Sequence, residues 1–147
     1  MKKEIIVQTL LSNQNQVILD LKERVLETKT AGDIDEDDTL GPEDFSHQNQ
    51  YNEMNKLIKN QLVKAQNDLN KLLSIDFNSK EQIEIGSIVT TDKFSFIIGV
   101  ATFPFNIDGR QYVGISIDAP IYSMMLNKTE GEMFSYANNE YKIVSIN

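Results

Sequence analysis

The chain has 147 residues, no Cys, no Trp, 40% hydrophobic residues and a formal charge of −8, with a pI near 4.6. That length fits one mid-sized domain or two small ones, and the lack of Cys excludes both a disulfide framework and a thiolate metal site. The acidic balance excludes a protein whose own affinity for nucleic acid rests on neutralising phosphates, because that needs a basic face. Any nucleic-acid connection is therefore expected to run through another protein.

The opening, Met1 to Val7, is basic at Lys2 and Lys3 but soon meets Glu4, Gln8 and the polar run Ser12 to Gln16, so no apolar signal core follows. No stretch reaches the ~18 consecutive apolar residues of a membrane span. A soluble, cytoplasmic, monomeric protein with no membrane association is the expectation.

Residues 4 to about 30 contain neither Pro nor Gly. Within them Val7, Leu11, Gln14, Ile18, Leu21, Val25 and Thr28 alternate spacings of four and three, the seam of a helix packing on another helix. A second run, Asn55, Ile58, Leu62, Ala65, Leu69 and Leu72, repeats the alternation, with Met54, Leu57 and Leu73 widening the stripe. The simplest partner for the second helix is the first, folded back as an antiparallel hairpin over residues 1–74. At ~1.5 Å per residue the first helix would extend roughly 40 Å. Gln14, Thr28 and Asn55 dilute the seam, which suits a slender two-helix arm better than a large bundle.

Between the helices, Ala31 to about Gln48 contains Gly32, Gly41, Pro42 and seven carboxylates, and the helical pattern breaks. From Thr30 to Asn55 there are eight acids and no Lys or Arg, so the whole net charge of −8 resides in and beside this tip.

After Ser74 the texture changes to short β-type runs: 86–91, 94–103, 111–118, 132–137 and 140–146. Asp108-Gly109 and Asn138-Asn139 read as hairpin turns. Ala119 to Leu126 reads as one short helix, with Pro120 in its first turn and Asp118 as candidate N-cap. The expected class is α+β: the helical hairpin, then a small antiparallel-sheet domain with one short helix over 75–147, enough chain for a modest core.

The string Ile115-Ser116-Ile117-Asp118-Ala119-Pro120-Ile121-Tyr122-Ser123-Met124-Met125-Leu126-Asn127-Lys128-Thr129-Glu130-Gly131-Glu132 resembles the Gre family of bacterial transcript-cleavage factors. There an I-S-(I/V)-x-S-P strand end leads into a short helix, then L-(hydrophobic)-G-K-x-x-G-(D/E). Ala119 stands for the usual Ser and Asn127 for the usual Gly, while Pro120, Lys128, Gly131 and the spacing match. Glu84 to Thr90 looks like that domain's first strand, and the order of a helical hairpin before a sheet domain agrees.

The resemblance implies an FKBP-like second domain and a partner, bacterial RNA polymerase, whose secondary channel receives the hairpin. Gre tips that support cleavage read G-D-L-x-E-N-A-E-Y, and their Asp and Glu help hold a catalytic Mg2+. Gly32-Asp33-Ile34-Asp35-Glu36-Asp37 reproduces G-D-(aliphatic)-x-E, so Asp33 and Glu36 inherit the catalytic and metal role, with Asp35 and Asp37 beside them. Asp38 to His47 expands the loop. A second register, Asp44 to Tyr51, puts His47 where Glu belongs. The docking role on the polymerase falls by resemblance on Asp118, Ala119, Pro120 and Ile121.

Magnesium takes hard oxygen ligands and keeps several waters, so one or two carboxylates can complete a site begun by another macromolecule. Crowded carboxylates repel one another, and a divalent cation relieves that repulsion. The same crowding could misplace the ion, which makes a non-cleaving regulator of the channel the alternative. A coiled-coil interaction module unrelated to transcription, with a merely solvated acidic loop, stands as the reading from another class. His47 is the only histidine, and no nucleophile elbow, Rossmann or P-loop signature occurs, so hydrolase and nucleotide-binding readings have no support. The chain is expected to stimulate the polymerase's own RNA hydrolysis and not to be an enzyme itself.

Overall fold

The computed structural model describes residues 3–32 and 42–147, and side chains over 3–29 and 49–147. The elements run α1 (Lys3–Gly32), α2 (Pro42–Ser74), β1 (Ile88–Thr91), β2 (Ser95–Gly99), β3 (Phe105–Ile107), β4 (Arg110–Ser116), α3 (Pro120–Met125), β5 (Met133–Tyr136) and β6 (Asn139–Ile146). The class is α+β, two long helices followed by a six-stranded sheet and a short helix. The helix α2 begins at Pro42, inside the stretch expected as tip loop. Proline suits the first helical position, where its missing N–H costs no hydrogen bond and its φ is already helical.

The chain forms two compact units, Ser12–Leu69 and Met1–Leu11 with Asn70–Asn147. In the first, Ile18, Leu21 and Ala65 are buried, with Val17, Ile58, Leu62 and Leu69 packed around them. Gln14 Nε2 donates to Ala65 O at 2.9 Å, and Asn55 Nδ2 donates to Val25 O at 2.8 Å, so the helices run antiparallel. Met54, Leu57 and Leu73, expected to widen the seam, are instead exposed, by 44%, 59% and 64%. They fall outside the narrow stripe that a two-helix contact can cover.

The second unit is built on a sheet of order β3-β4-β2-β1-β6-β5. All its pairings are antiparallel except β2 with β4, which is parallel from Ser95↔Tyr112 to Gly99↔Ser116. After β2 the chain passes outside the position of β4, forms β3, and turns back through Asp108-Gly109, so that β4 slots between β3 and β2. The run expected as one strand over 94–103 thus ends at Gly99, and β3 is a separate strand beyond Pro104. Proline cannot donate to a ladder, which marks the break.

Period-two alternation gives the sheet two apolar faces. Val89, Phe96, Ile98, Ile115, Phe134, Tyr141 and Ile143 form one core with Ile121 and Met125 of α3. Ile88, Ile97, Val100 and Tyr112 form the other with Ile6 and Leu10 of α1 and Leu72 of α2. Phe96 is the hub of the first: Phe94 stands edge-on at 5.0 Å and Tyr141 at 5.9 Å. Fully burying such side chains contributes ~1.5–3 kcal/mol each. Lys3 Nζ donates to Asn78 O at 3.1 Å and to Asn147 O at 2.9 Å. Burial, and then the nearby Lys80 ammonium, lower its pKa to about 8 against the opposing pull of Asp76.

Candidate functional site

Two places inherit functional roles from the sequence: the acid-rich segment between the helices and the corner from β4 into α3. Asp33, Asp35, Glu36, Asp37 and Asp38 lie outside the described residues. On the described approach to them, Thr28 Oγ1 donates to Arg24 O at 2.9 Å and accepts from Asn55 Nδ2 at 2.8 Å. The seam is thereby held as far as Thr28, five residues before Asp33 in the sequence. The second tip register, Asp44 to Tyr51, falls in the backbone of α2. Among the described residues no group of three or more His, Asp or Glu could hold a metal ion.

The corner is described in full. Ser116 ends β4, its Oγ accepts from Asp118 N at 3.1 Å, and Ala119 N donates to Ser116 O at 3.0 Å. The N-cap of α3 is Ala119, in extended backbone with no side-chain cap bond, and Pro120 follows in the first turn. The expectation of Asp118 as cap is therefore off by one residue, since the capping position is the last non-helical residue before Pro120. A Ser at that position could accept from a first-turn N–H, and Ala cannot.

Past α3, Asn127 adopts φ 66° and Gly131 φ 89°. The left-handed region is open to glycine and, among other residues, is reached most readily by Asn. That is the physical reason Asn127 can stand where the resembling string has Gly, while Gly131 is retained. Thr129 Oγ1 donates to Glu132 Oε1 at 3.0 Å, and the Glu130 carboxylate accepts from Ile146 N at 3.1 Å. These bonds tie the turn to β5 and β6.

The four docking candidates divide. Asp118 and Pro120 are exposed and Ala119 is half-buried. Ile121 is buried in the core beneath α3, so its side chain holds the helix to the sheet and is withdrawn from any docking surface. The exposed large apolar side chains of the same segment are Ile117 at 44%, Met124 at 50% and Leu126 at 40%. Spacing alone does not separate Met124 from Met125, because positions three and four after Ile121 share one helix face, and Ile117 lies before the helix. A small cavity of about 190 Å³ lies beyond α3, lined by Glu81, Gln82, Ile83, Asn127, Lys128 and Thr129.

No protein-family model matches the chain. No curated protein matches it in sequence. Comparison with solved structures returns the crystal structure of GreA factor homolog 1 (Gfh1) of Thermus thermophilus, at a TM-score of 0.35 and 17% identity over 96% of this chain and 92% of that one. A likeness at that score is too slight to bear on function.

Proposed function

We propose that this chain is a Gre-like transcription elongation factor that binds bacterial RNA polymerase, with its helical hairpin entering the secondary channel and its sheet domain docking outside. The observation that carries the reading is the β4–α3 corner. Pro120 in the first helical turn and left-handed backbone at Asn127 and Gly131 fall where the Gre string has Pro, Gly and Gly. Matching backbone demands at three positions are harder to reach by chance than matching residue types, because each restricts which side chains are tolerated.

In this reading Asp33 and Glu36 present Mg2+ to the polymerase active centre, with Asp35 and Asp37 beside them. The ion supplies activation of water and stabilisation of the leaving oxygen in RNA hydrolysis. The role of this chain's carboxylates is to hold and orient it at the end of a paired arm. Asp118, Ala119 and Pro120 dock on the polymerase. A second reading, a regulator that occupies the channel without cleavage, is favoured by one feature: five acids crowd into Asp33–Asp38, a density that can trap an ion out of position.

The deciding experiment uses stalled elongation complexes with a backtracked RNA 3′ end, magnesium and the source organism's polymerase. Release of short 3′ fragments, lost on Asp33→Ala/Glu36→Ala while polymerase binding persists, is the expected result. Binding without cleavage selects the channel regulator. The absence of both binding and cleavage overturns the transcription reading.

A further inference from the structure

Among the described residues the helical unit buries Ile18, Leu21 and Ala65, and apart from the small Ala65 its apolar seam is built of Ile, Leu and Val, which are close in shape and chemistry. Ile18 and Leu21 of α1 face Ile58, Leu62, Ala65 and Leu69 of α2. A seam of Ile and Leu accepts a slip of one turn with little loss, because one aliphatic residue replaces another. Apolar patterning alone therefore leaves the pairing weakly specified.

Two polar contacts bracket that seam, and both are made to main-chain carbonyls of the opposite helix. Gln14 is 8% exposed and donates to Ala65 O at 2.9 Å. The small side chain of Ala65 is what lets an amide reach the backbone there. Asn55 spends both amide protons, on Val25 O and on Thr28 Oγ1, each at 2.8 Å. Thr28 completes the set by donating to Arg24 O. From Gln14 to Val25 is eleven residues along α1, and from Ala65 back to Asn55 is ten along α2. That is the exchange an unslipped antiparallel pair requires, and it spaces the contacts ~16 Å apart.

We propose that Gln14 and Asn55, with Thr28, are register pins that confine α1 and α2 to one intramolecular pairing and disfavour both slipped hairpins and pairing with a second copy of the chain. A slip of one turn sets Gln14 against Leu62 or Leu69 and Asn55 against Leu21 or Lys29. Each stranded amide then lowers the population of the slipped form by about tenfold, and the two act together. The pins reduce seam stability relative to aliphatic residues, the known trade of a polar residue at a helix seam. The inference holds whether or not the hairpin enters a polymerase.

The chain has no Cys, so spin labels at Glu23→Cys and Asn60→Cys, both exposed, report the pairing of the full-length protein directly. The unmodified seam is expected to give one narrow distance and a monomer. Gln14→Leu/Thr28→Val/Asn55→Leu is expected to add populations displaced by about one turn, ~5.4 Å, or a concentration-dependent dimer, at an equal or higher melting temperature. Asn55→Leu alone is expected to show a smaller slipped population. Leu62→Ala, which weakens the seam and spares the pins, is expected to lower the melting temperature while keeping one distance. The proposal is overturned if both pin variants keep a single narrow distance and remain monomeric, or if the unmodified seam already shows several.

Discussion

Gly114 sits in β4 between β2 and β3, and a single methyl there tests how closely the β2–β3 connection crosses the sheet. A Cβ at this position would stand inside 3.0 Å of Val100 O and 2.5 Å from Thr102 Oγ1. The same Thr102 accepts from Gly114 N at 2.9 Å and donates its own N–H to Gly114 O at 3.1 Å. Gly114→Ala must therefore push a backbone carbonyl and the threonine outward by about half an ångström, an overpacking that costs ~1–3 kcal/mol. Two hydrogen bonds are strained or lost at ~1 kcal/mol each, so the expected total is ~3–5 kcal/mol. Urea unfolding should be followed by near-ultraviolet circular dichroism, to which Tyr112, Tyr122, Tyr136 and Tyr141 of the sheet unit contribute, and separately by helical ellipticity. With m near ~2 kcal/mol per molar, the sheet midpoint should fall by about 1.5–2.5 M. Thr102→Ala removes one of the two clashes, so the double variant should cost less than the singles added, by ~1 kcal/mol. A loss below ~1 kcal/mol for Gly114→Ala, or strict additivity, would refute the close crossing.

Two further outcomes follow from the turns and the charges. The β5–β6 hairpin turns on Ala137 and Asn138, with φ 51° and 64°. An L-residue with a Cβ pays roughly 1–2 kcal/mol in that region. Ala137→Gly should raise the unfolding free energy by ~0.5–1 kcal/mol once the added freedom of the unfolded glycine is counted; an unchanged or lower midpoint would contradict the turn. Asp76 accepts from Asn78 N at 3.0 Å and from Lys80 Nζ at 3.1 Å, and these donors, the backbone one foremost, hold its carboxyl below the usual 3.8. A depressed carboxyl adds stability above the unfolded-state value and loses it as the pH falls through the folded-state value. Asp76→Asn should therefore flatten the stability curve below about pH 4 relative to the unmodified chain, and parallel curves between pH 2.5 and 5 would contradict this.

The long helices were legible because a three-four repeat survives even with Gln14, Thr28 and Asn55 in it. From Gln14 to Thr28 the inward stripe holds, with Gln14, Ile18, Leu21 and Thr28 buried and Val25 half-buried. Nearer its start α1 buries Ile6 and Leu10, one residue ahead of the expected Val7 and Leu11. There the helix packs on the sheet, a tertiary demand that a two-helix repeat does not encode. The parallel β2–β4 pair was illegible for a related reason. A short connection forecasts a hairpin, and nothing local says that β3 will take the outer position and leave β4 the inner one. The turn at Ala137-Asn138 was displaced because Asn138-Asn139 carries the better turn residues, and sheet register overrode that preference. At the α3 corner the string read well wherever a backbone restriction stood behind it, at Pro120, Asn127 and Gly131. It misled at Ile121, where one residue type serves equally for a core and for a surface.

The charges around the helix junction separate fold from function. Carboxylates are favoured beside a helix N-terminus and disfavoured beside a C-terminus, by ~0.3–1 kcal/mol each when exposed. Lys29 stands in the last turn of α1 and obeys the rule, while Asp33, Asp35, Glu36, Asp37 and Asp38 come after Gly32 in the sequence. Those five acids also repel one another. Asp20, Glu23 and Glu27 share α1 with Lys22, Arg24 and Lys29, so the rest of that helix keeps its charge mixed. With the eight acids of Thr30–Asn55 set aside the chain has 14 acids against 14 bases, and so local a concentration of like charge is the pattern expected where a local rule yields to function. A cation brought to that run, or a basic surface around it, would relieve the mutual repulsion of its carboxylates, which is what the proposed magnesium-presenting role asks of them.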